Sequence, residues 1–260
     1  MGAKFLGSWE SAGPTHQRST RGYGRATTQR REGVLLDQVV AERITRFRTY
    51  FSDHVGRIAA ISSPLYQKLL LSALLDALSK ARYPELGNQN KARSLRMIEA
   101  CFSWPHHKWV SMQQLVLHLT DLPETNLKSF VAMACKSMKS GHVYQLEDID
   151  CPYEDLASLA EKHETRLLEA NTHASLFYEY RNSLVHEFRE PGYGMEIWPD
   201  AEPFYHSYID PPRHELTYPV GFFIRSAKSS IEAVADHLQV ENLDPYELYP
   251  FGSAWKANIR

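Results

Sequence analysis

Apolar side chains recur every three or four residues along the chain from Leu36 onward. This spacing matches the turn of an α-helix, so the apolar residues would share one face of the helix. We therefore predict a long amphipathic helix that starts near Val34. Its apolar stripe consists of Leu36, Val40, Ile44, Phe47, Phe51, Val55 and Ile58.

A second helix is predicted to begin at Pro64, because a cap-type residue, Ser63, precedes a proline in the first turn. Leucines from Leu65 to Leu78 cover most of its circumference, so we expect this helix at the centre of the fold. Asp76 is a charged exception, for which we predict an ion pair with Lys80 four residues later. Further helices are predicted over residues 90–103, 111–119, 123–141, 154–169, 172–189 and 220–238. The apolar stripe of the last one consists of Phe223, Ala227, Ile231, Val234 and Leu238.

The chain changes character after residue 190. Short aromatic-rich segments at 195–198, 204–208 and 215–218, separated by proline and aspartate, predict a small antiparallel sheet. Strands are expected in this region alone. The predicted fold class is therefore mainly α: a helical bundle with a small C-terminal antiparallel β element and a final helix.

The same patterns predict one domain with two additions. Residues 1–33 are expected to form a flexible basic tail, because glycine, serine and arginine are frequent there and no apolar period is present. Residues 34–190 form the helical body, and residues 191–260 form a strand-plus-helix extension packed on it. A second role for the tail, contact with RNA phosphates, stays open.

Composition narrows the class of protein. The chain has 260 residues, 43% of them hydrophobic, and a net charge of −2, so any nucleic-acid contact must come from a local basic patch. The three cysteines are odd in number and far apart in sequence, which argues against a disulfide framework. They form no CxxC pair, which argues against a zinc site. The sequence contains neither the apolar core of a signal peptide near Met1 nor an apolar run of about 20 residues. We expect a cytoplasmic protein without a membrane segment, metal or cofactor.

The segment from Tyr180 to Phe188 contains the strongest candidate chemistry. Arg181, Asn182 and His186 lie within six residues on a predicted helix. In an α-helix, Asn182 and His186 are one turn apart and offset by about 40°, whereas Arg181 is about 140° from His186. Histidine exchanges protons near neutral pH, and arginine binds phosphate oxygens through its planar fork.

An ordinary structural explanation of these three residues also stays open. Arg181 could pair with Glu187 or Glu179, Asn182 could cap a helix, and His186 could be an exposed spacer. Three such residues occur together by chance in many helices.

The motif Arg-Asn-x-x-x-His resembles the signature of the HEPN superfamily. The longer string from Tyr180 to Gly194 is similar to bacterial HEPN-like proteins, and the segment Leu74–Leu78 followed by Ala81–Pro84 resembles their early helix. The resemblance covers about residues 40–190 and leaves residues 195–260 outside a minimal HEPN bundle. It implies a HEPN-like helical bundle that forms dimers.

The resemblance also implies an activity, the metal-independent cleavage of RNA. His186 would be the catalytic acid or base, Arg181 would stabilise the phosphate, and Asn182 would be the polar residue beside them. Such cleavage needs both an acid and a base, and one chain supplies a single motif histidine. A two-fold dimer through the motif helix would supply two.

We therefore predict a HEPN-type endoribonuclease in a toxin–antitoxin or phage-defence setting. The predicted catalytic residues are Arg181, Asn182 and His186, and the predicted binding residues are Tyr180, Glu187 and Arg189. The expected partners are RNA, a second copy of the chain and an antitoxin protein. One alternative is a non-catalytic HEPN-like module that binds a nucleotide or a partner; another is a helical structural domain in which the motif is a coincidence.

Overall fold

The computed structural model describes residues 23–192, 196, 202–207 and 214–249, with side chains described from residue 38 onward. Helices dominate these residues, and two small antiparallel sheets accompany them, so the predicted mainly α class is confirmed. The chain divides into two compact units, Met1–Val39 and Val40–Arg260. The described part of the first unit is the beginning of one helix.

The described residues form eleven α-helices. In chain order they are α1 (Tyr23–Ala59), α2 (Pro64–Arg82), α3 (Asn90–Cys101), α4 (Met112–Leu119), α5 (Asn126–Lys136), α6 (Leu146–Ile149), α7 (Tyr153–Ala157), α8 (Thr165–Ala170), α9 (His173–Asn182), α10 (Val220–Val240) and α11 (Pro245–Leu248). Short 3-10 turns cover Pro84–Leu86 and Pro105–Lys108, and a π-helical turn covers Ser183–Glu187.

Several helix boundaries differ from the prediction. α1 begins at Tyr23 rather than near Val34, so residues 23–33 of the predicted tail are helical, while residues 1–22 lie outside the described part. Extending an existing helix costs little free energy, because each added residue gains a hydrogen bond and no new helix has to be nucleated. The helix predicted over 154–169 is interrupted between α7 and α8. The buried carboxylate of Glu164 accepts a hydrogen bond from Thr125 Oγ1 there, at 2.7 Å.

The predicted apolar stripes form the core. From Ile44 to Ile58, every stripe residue of α1 is buried, as is the whole stripe of α10 from Phe223 to Leu238. α2 packs along α10, and α3 lies against both α2 and α9. α2 is central as predicted, although Leu70 on its outer face stays 42% exposed. Residues before and after position 190 therefore share one core.

Five short strands pair in two sheets. β1 (Trp109–Val110) pairs with β3 (Cys151–Pro152), and β2 (Val143–Gln145), β4 (Phe204–His206) and β5 (Glu215–Thr217) form a sheet in the order β2-β4-β5. All pairings are antiparallel.

The prediction that strands occur only within residues 195–218 is wrong, because β1, β2 and β3 precede that region. Strands of two or three residues are too short to show an alternating pattern, and β2 owes its conformation to pairing with β4. Of the strand predicted over 195–198, the structure describes only Glu196, which is in no strand.

The carboxylate of Asp150 connects four segments of this fold. It accepts hydrogen bonds from the backbone N–H of Met112 at the start of α4, at 2.9 Å, and from the Tyr205 hydroxyl of β4, at 2.8 Å. It also lies 2.7 Å from Nε2 of His173, the first residue of α9. Ser111 Oγ contacts the same Tyr205 hydroxyl at 2.6 Å. The side chains of Asp150 and His173 are completely buried, and burial next to Asp150 raises the pKa of Tyr205 well above its ordinary value.

We predict that Asp150→Ala lowers the free energy of unfolding by about 3–5 kcal/mol, because it leaves a buried histidine, hydroxyl and N–H without their acceptor. Urea denaturation monitored by circular dichroism measures the change. Asp155→Ala is the control, since Asp155 is exposed in α7 and should change stability by less than about 0.5 kcal/mol. An Asp150→Ala protein as stable as the control would contradict the role given to this carboxylate.

Candidate functional site

Both ends of α9, which carries the start of the motif, contact buried polar groups. At its beginning, Thr172 caps the helix by accepting a hydrogen bond from the Ser175 N–H, and His173 binds Asp150. At its end, the Tyr180 hydroxyl donates to Glu190 at 2.8 Å. Contacts at both ends therefore hold α9 in position, and its exposed surface lies between them.

The helix changes its geometry within the motif. The α-helical part ends at Asn182, and residues Ser183–Glu187 form a π-helical turn, in which the N–H of Phe188 donates to the carbonyl of Ser183. The regular helix predicted over 172–189 is thus wrong in its last turn. The offset of about 40° between Asn182 and His186 applies to an α-helix and no longer holds across this junction. Single π-turns inside helices are frequently found at functional sites.

His186 is exposed in the middle of the π-turn. Within the described part of the chain, its ring forms no hydrogen bond or ion pair. A side chain that contributes nothing to the core and has no structural partner is available to a ligand in solution. Of the three motif residues, His186 is the most exposed, since Arg181 and Asn182 are partly buried.

Arg181 is turned toward α2 and is only 14% exposed. Its Nη1 donates to Asn182 Oδ1 at 3.1 Å, and its Nη2 lies 3.6 Å from Asp76 Oδ1. The structure therefore brings Arg181 and Asn182 together but shows no contact between Arg181 and His186. The pairing of Arg181 with Glu187 or Glu179, considered from sequence, does not occur among the described contacts. Asn182 donates to Glu179 at 3.4 Å and forms no helix cap.

Asp76 lies at the centre of a cluster of positive charge. Its carboxylate is 3.0 Å from Lys80, as predicted, 3.2 Å from Arg93 and 3.6 Å from Arg181. We call these four residues the cation cluster. Three cations share one carboxylate, so the cluster has a net charge of three minus one, or +2. Lys80 is the most exposed member of the cluster, with 60% of its side chain accessible, whereas the side chains of Arg93 and Arg181 are 1% and 14% exposed.

A cavity of about 30 Å³ lies beside the cation cluster, between α2, α3 and α9. Arg181, Asp76, Phe177 and Ser72 are among the residues that line it, and the buried Ser72 hydroxyl has no hydrogen-bond partner there. This volume accommodates about one water molecule and is far too small for a nucleotide. A ligand of that size therefore cannot enter this cavity.

Tyr180, predicted as a binding residue, is instead part of the core. Its side chain is 4% exposed, and its hydroxyl lies between Glu190 and Lys68. The fully buried ammonium of Lys68 is 2.8 Å from Glu190 and 2.5 Å from Glu196, whose other oxygen accepts from the N–H of Val220. Burial and Glu190 raise the pKa of Tyr180 well above its ordinary value. These contacts connect the end of α9 to α2 and to the start of α10.

The other two predicted binding residues, Glu187 and Arg189, are exposed and contact each other. Glu187 Oε2 lies 2.6 Å from Arg189 Nε. Each therefore neutralises the charge of the other, and an exposed pair of this kind separates at little cost. Both stay accessible to a ligand, but neither supplies an unbalanced charge.

Several important residues were not identified from the sequence. The buried partners Asp150, His173 and Tyr205 give no local signal, because their contacts span distant parts of the chain. Lys68 gave a weak signal, as a charged residue inside a leucine-rich helix. Within the described ranges, no group of three or more histidine, cysteine, aspartate or glutamate residues is arranged to hold a metal ion.

Comparisons of the chain with protein-family models, with curated proteins and with solved structures found no match. Among the described helices, none has the length and apolar character needed to cross a membrane.

We predict that Asp76→Asn lowers stability at pH 7 and that this loss shrinks in acid. Burial raises the pKa of the Asp76 carboxyl, but Lys80, Arg181 and Arg93 lower it by more, so its pKa lies below the ordinary value. A carboxyl with a lowered folded pKa stabilises the fold above its unfolded pKa of about 3.9 and loses that contribution as the pH falls through the folded pKa.

Urea denaturation at pH 7 and at pH 3 measures both effects. The difference between wild type and Asp76→Asn should be smaller at the lower pH. Asp53→Asn, at an exposed position of α1, should differ little from wild type at either pH. A difference for Asp76→Asn that is the same at both pH values would show that the carboxylate charge is not what stabilises the cation cluster.

Proposed function

We propose that this protein is a metal-independent endoribonuclease of the HEPN type. The observation that carries the proposal is the exposed ring of His186, which forms no hydrogen bond or ion pair with the described residues. It lies on a π-turn that directly follows the hydrogen-bonded pair Arg181 and Asn182. The net charge of +2 in the adjacent cation cluster supports it, because RNA phosphates are attracted to such a surface.

In the proposed reaction the ribose 2′-oxygen attacks the neighbouring phosphorus while the bond from phosphorus to the 5′-oxygen breaks. A base removes the proton of the 2′-hydroxyl, and an acid gives a proton to the departing 5′-oxygen. The products are a 2′,3′-cyclic phosphate and a free 5′-hydroxyl. His186 performs one of the two proton transfers, and Arg181 stabilises the charge on the phosphate oxygens.

The contact of Arg181 with Asp76 has a consequence for this mechanism. The long distance of 3.6 Å and the remaining donors of the guanidinium allow a phosphate to compete for it. Asp76 then acts as a positioning residue that keeps the guanidinium at the junction of α2 and α9 until RNA binds. Asn182 orients the same guanidinium through its side-chain oxygen.

The wider setting follows from the HEPN resemblance. We propose that the enzyme works in the cytoplasm in toxin–antitoxin or phage-defence systems, with RNA as substrate and an antitoxin protein as a regulatory partner.

A second candidate is a non-catalytic HEPN-like module that binds a partner. One observation favours it: both arginines near His186 already have carboxylate partners, Arg181 with Asp76 and Arg189 with Glu187. In such a module these pairs would persist in the complex, and RNA would not be cut.

We predict that the protein cleaves single-stranded RNA in the presence of EDTA and that His186→Ala lowers the rate by about 10²–10⁴. Cleavage is followed on denaturing gels, and the product ends are identified by mass spectrometry. His163→Ala, which removes another exposed histidine, is the matched control and should leave the rate unchanged. His186→Ala should not lower the melting temperature, since the ring is exposed and forms no hydrogen bond or ion pair among the residues that the structure describes.

Arg181→Ala should also abolish most of the cleavage, but the structure adds a cost in stability, because Arg181 is mostly buried and paired. Rates must therefore be compared per folded molecule. Cleavage by His186→Ala at the wild-type rate would contradict the proposed function and favour the binding module.

We further predict a symmetric homodimer through the helix that carries the motif, because a single chain offers one motif histidine for two proton transfers. Light scattering at micromolar concentration measures the mass. A strict monomer that nevertheless cleaves RNA would contradict the shared site.

A further inference from the structure

Phe188 combines a strained backbone with an exposed ring. Its φ of 55° and ψ of 36° place it in the left-handed region, which a bulky L-residue rarely occupies. Its side chain is 54% exposed, so burial in the core does not offset the strain. Strain of this kind is concentrated at functional sites, where it forms part of a binding or catalytic arrangement.

A second exposed ring lies beside it. Tyr66, in the first turn of α2, is 50% exposed, and its ring centroid is 5.9 Å from that of Phe188, with the planes at 44°. We call Tyr66 and Phe188 the aromatic pair. Leu70, one turn further along α2, is 42% exposed and extends the apolar surface. About half of each aromatic side chain is thus accessible to solvent.

The aromatic pair and the cation cluster flank the motif on opposite sides. Phe188 follows His186 by two residues, whereas Arg181 precedes His186 by five. Asp76 lies ten residues after Tyr66 on α2, about 15 Å along the helix axis. On α2, Tyr66 lies near the start of the helix, and Asp76 and Lys80 of the cation cluster lie further along it. On the other segment, Arg181 lies in α9, and Phe188 follows the π-turn.

We propose that the aromatic pair binds a nucleobase of single-stranded RNA by stacking, next to the phosphate at which His186 transfers a proton. This inference rests on the proposed function and names a binding subsite for its substrate. A strand that stacks one base on the pair and places a phosphate at the cation cluster matches both the apolar and the charged surface. Every base has an aromatic face, so stacking of this kind accepts any sequence.

The test measures the binding of a fluorescein-labelled, single-stranded RNA with 2′-O-methyl groups at every ribose, which cannot be cleaved by 2′-oxygen attack. Phe188→Asn removes the ring with a residue that tolerates the left-handed conformation. We expect it to raise the Kd about 5- to 150-fold, the range for the loss of one stacked base, without lowering the urea midpoint. Phe188→Trp and Tyr66→Phe keep a ring and should bind as wild type does.

Two further variants keep the test decisive. Tyr66→Ala should weaken binding in the same direction even if Phe188→Asn is unstable. Met133→Ala removes another exposed apolar side chain, 68% exposed on α5, and should leave the Kd unchanged. Wild-type affinity in both Phe188→Asn and Tyr66→Ala would overturn the proposal.

Two other outcomes distinguish failure of the stacking proposal from failure of the proposed catalysis. If these variants dissociate a dimer but bind RNA as tightly as wild type, the aromatic pair is a subunit contact and the stacking proposal is wrong. If they weaken RNA binding while the wild-type protein fails to cleave ordinary RNA, the proposed catalysis fails and the stacking site stands.

Discussion

The buried carboxylate of Asp150 is the contact on which the position of the candidate site depends. A buried carboxylate is tolerated only when hydrogen bonds replace those it makes with water. Asp150 accepts them from the N–H of Met112 in α4 and the hydroxyl of Tyr205 in β4, and it lies 2.7 Å from the ring of His173, the first residue of α9. Because those partners come from distant segments, the carboxylate can be satisfied only in the complete fold. The beginning of α9 is thereby fixed relative to the rest of the chain.

A second buried charge performs the same role at the other end of α9. The ammonium of Lys68 is surrounded by Glu190, Glu196 and the hydroxyl of Tyr180, so it connects α2 to the end of α9 and, through Glu196, to α10. Between these two clusters the helix has little freedom to move. The π-turn and the left-handed Phe188 follow the second cluster directly, and they direct His186 and the Phe188 ring to solvent.

The sequence predicted those features that depend on a single helix. The stripes of α1 and α10 and the ion pair of Asp76 with Lys80 follow from spacing alone, and they are present as predicted. The π-turn, the two-residue strands and the burial of Tyr180 depend on partners far away in the chain, such as Glu190 for Tyr180 and β3 for β1. The motif indicated candidate side chains, but not that Arg181 turns toward Asp76 while His186 stays exposed.

In the proposed function, RNA contacts His186 on the exposed π-turn. NMR spectra of protein labelled at its 12 histidines test this directly, with the His186 signal identified from its absence in His186→Gln. On addition of the non-cleavable RNA, we predict that the His186 signal shifts while that of His163, exposed near α8, stays in place. If the His186 signal stays unchanged when the protein is saturated with RNA, the proposed contact between RNA and His186 is contradicted.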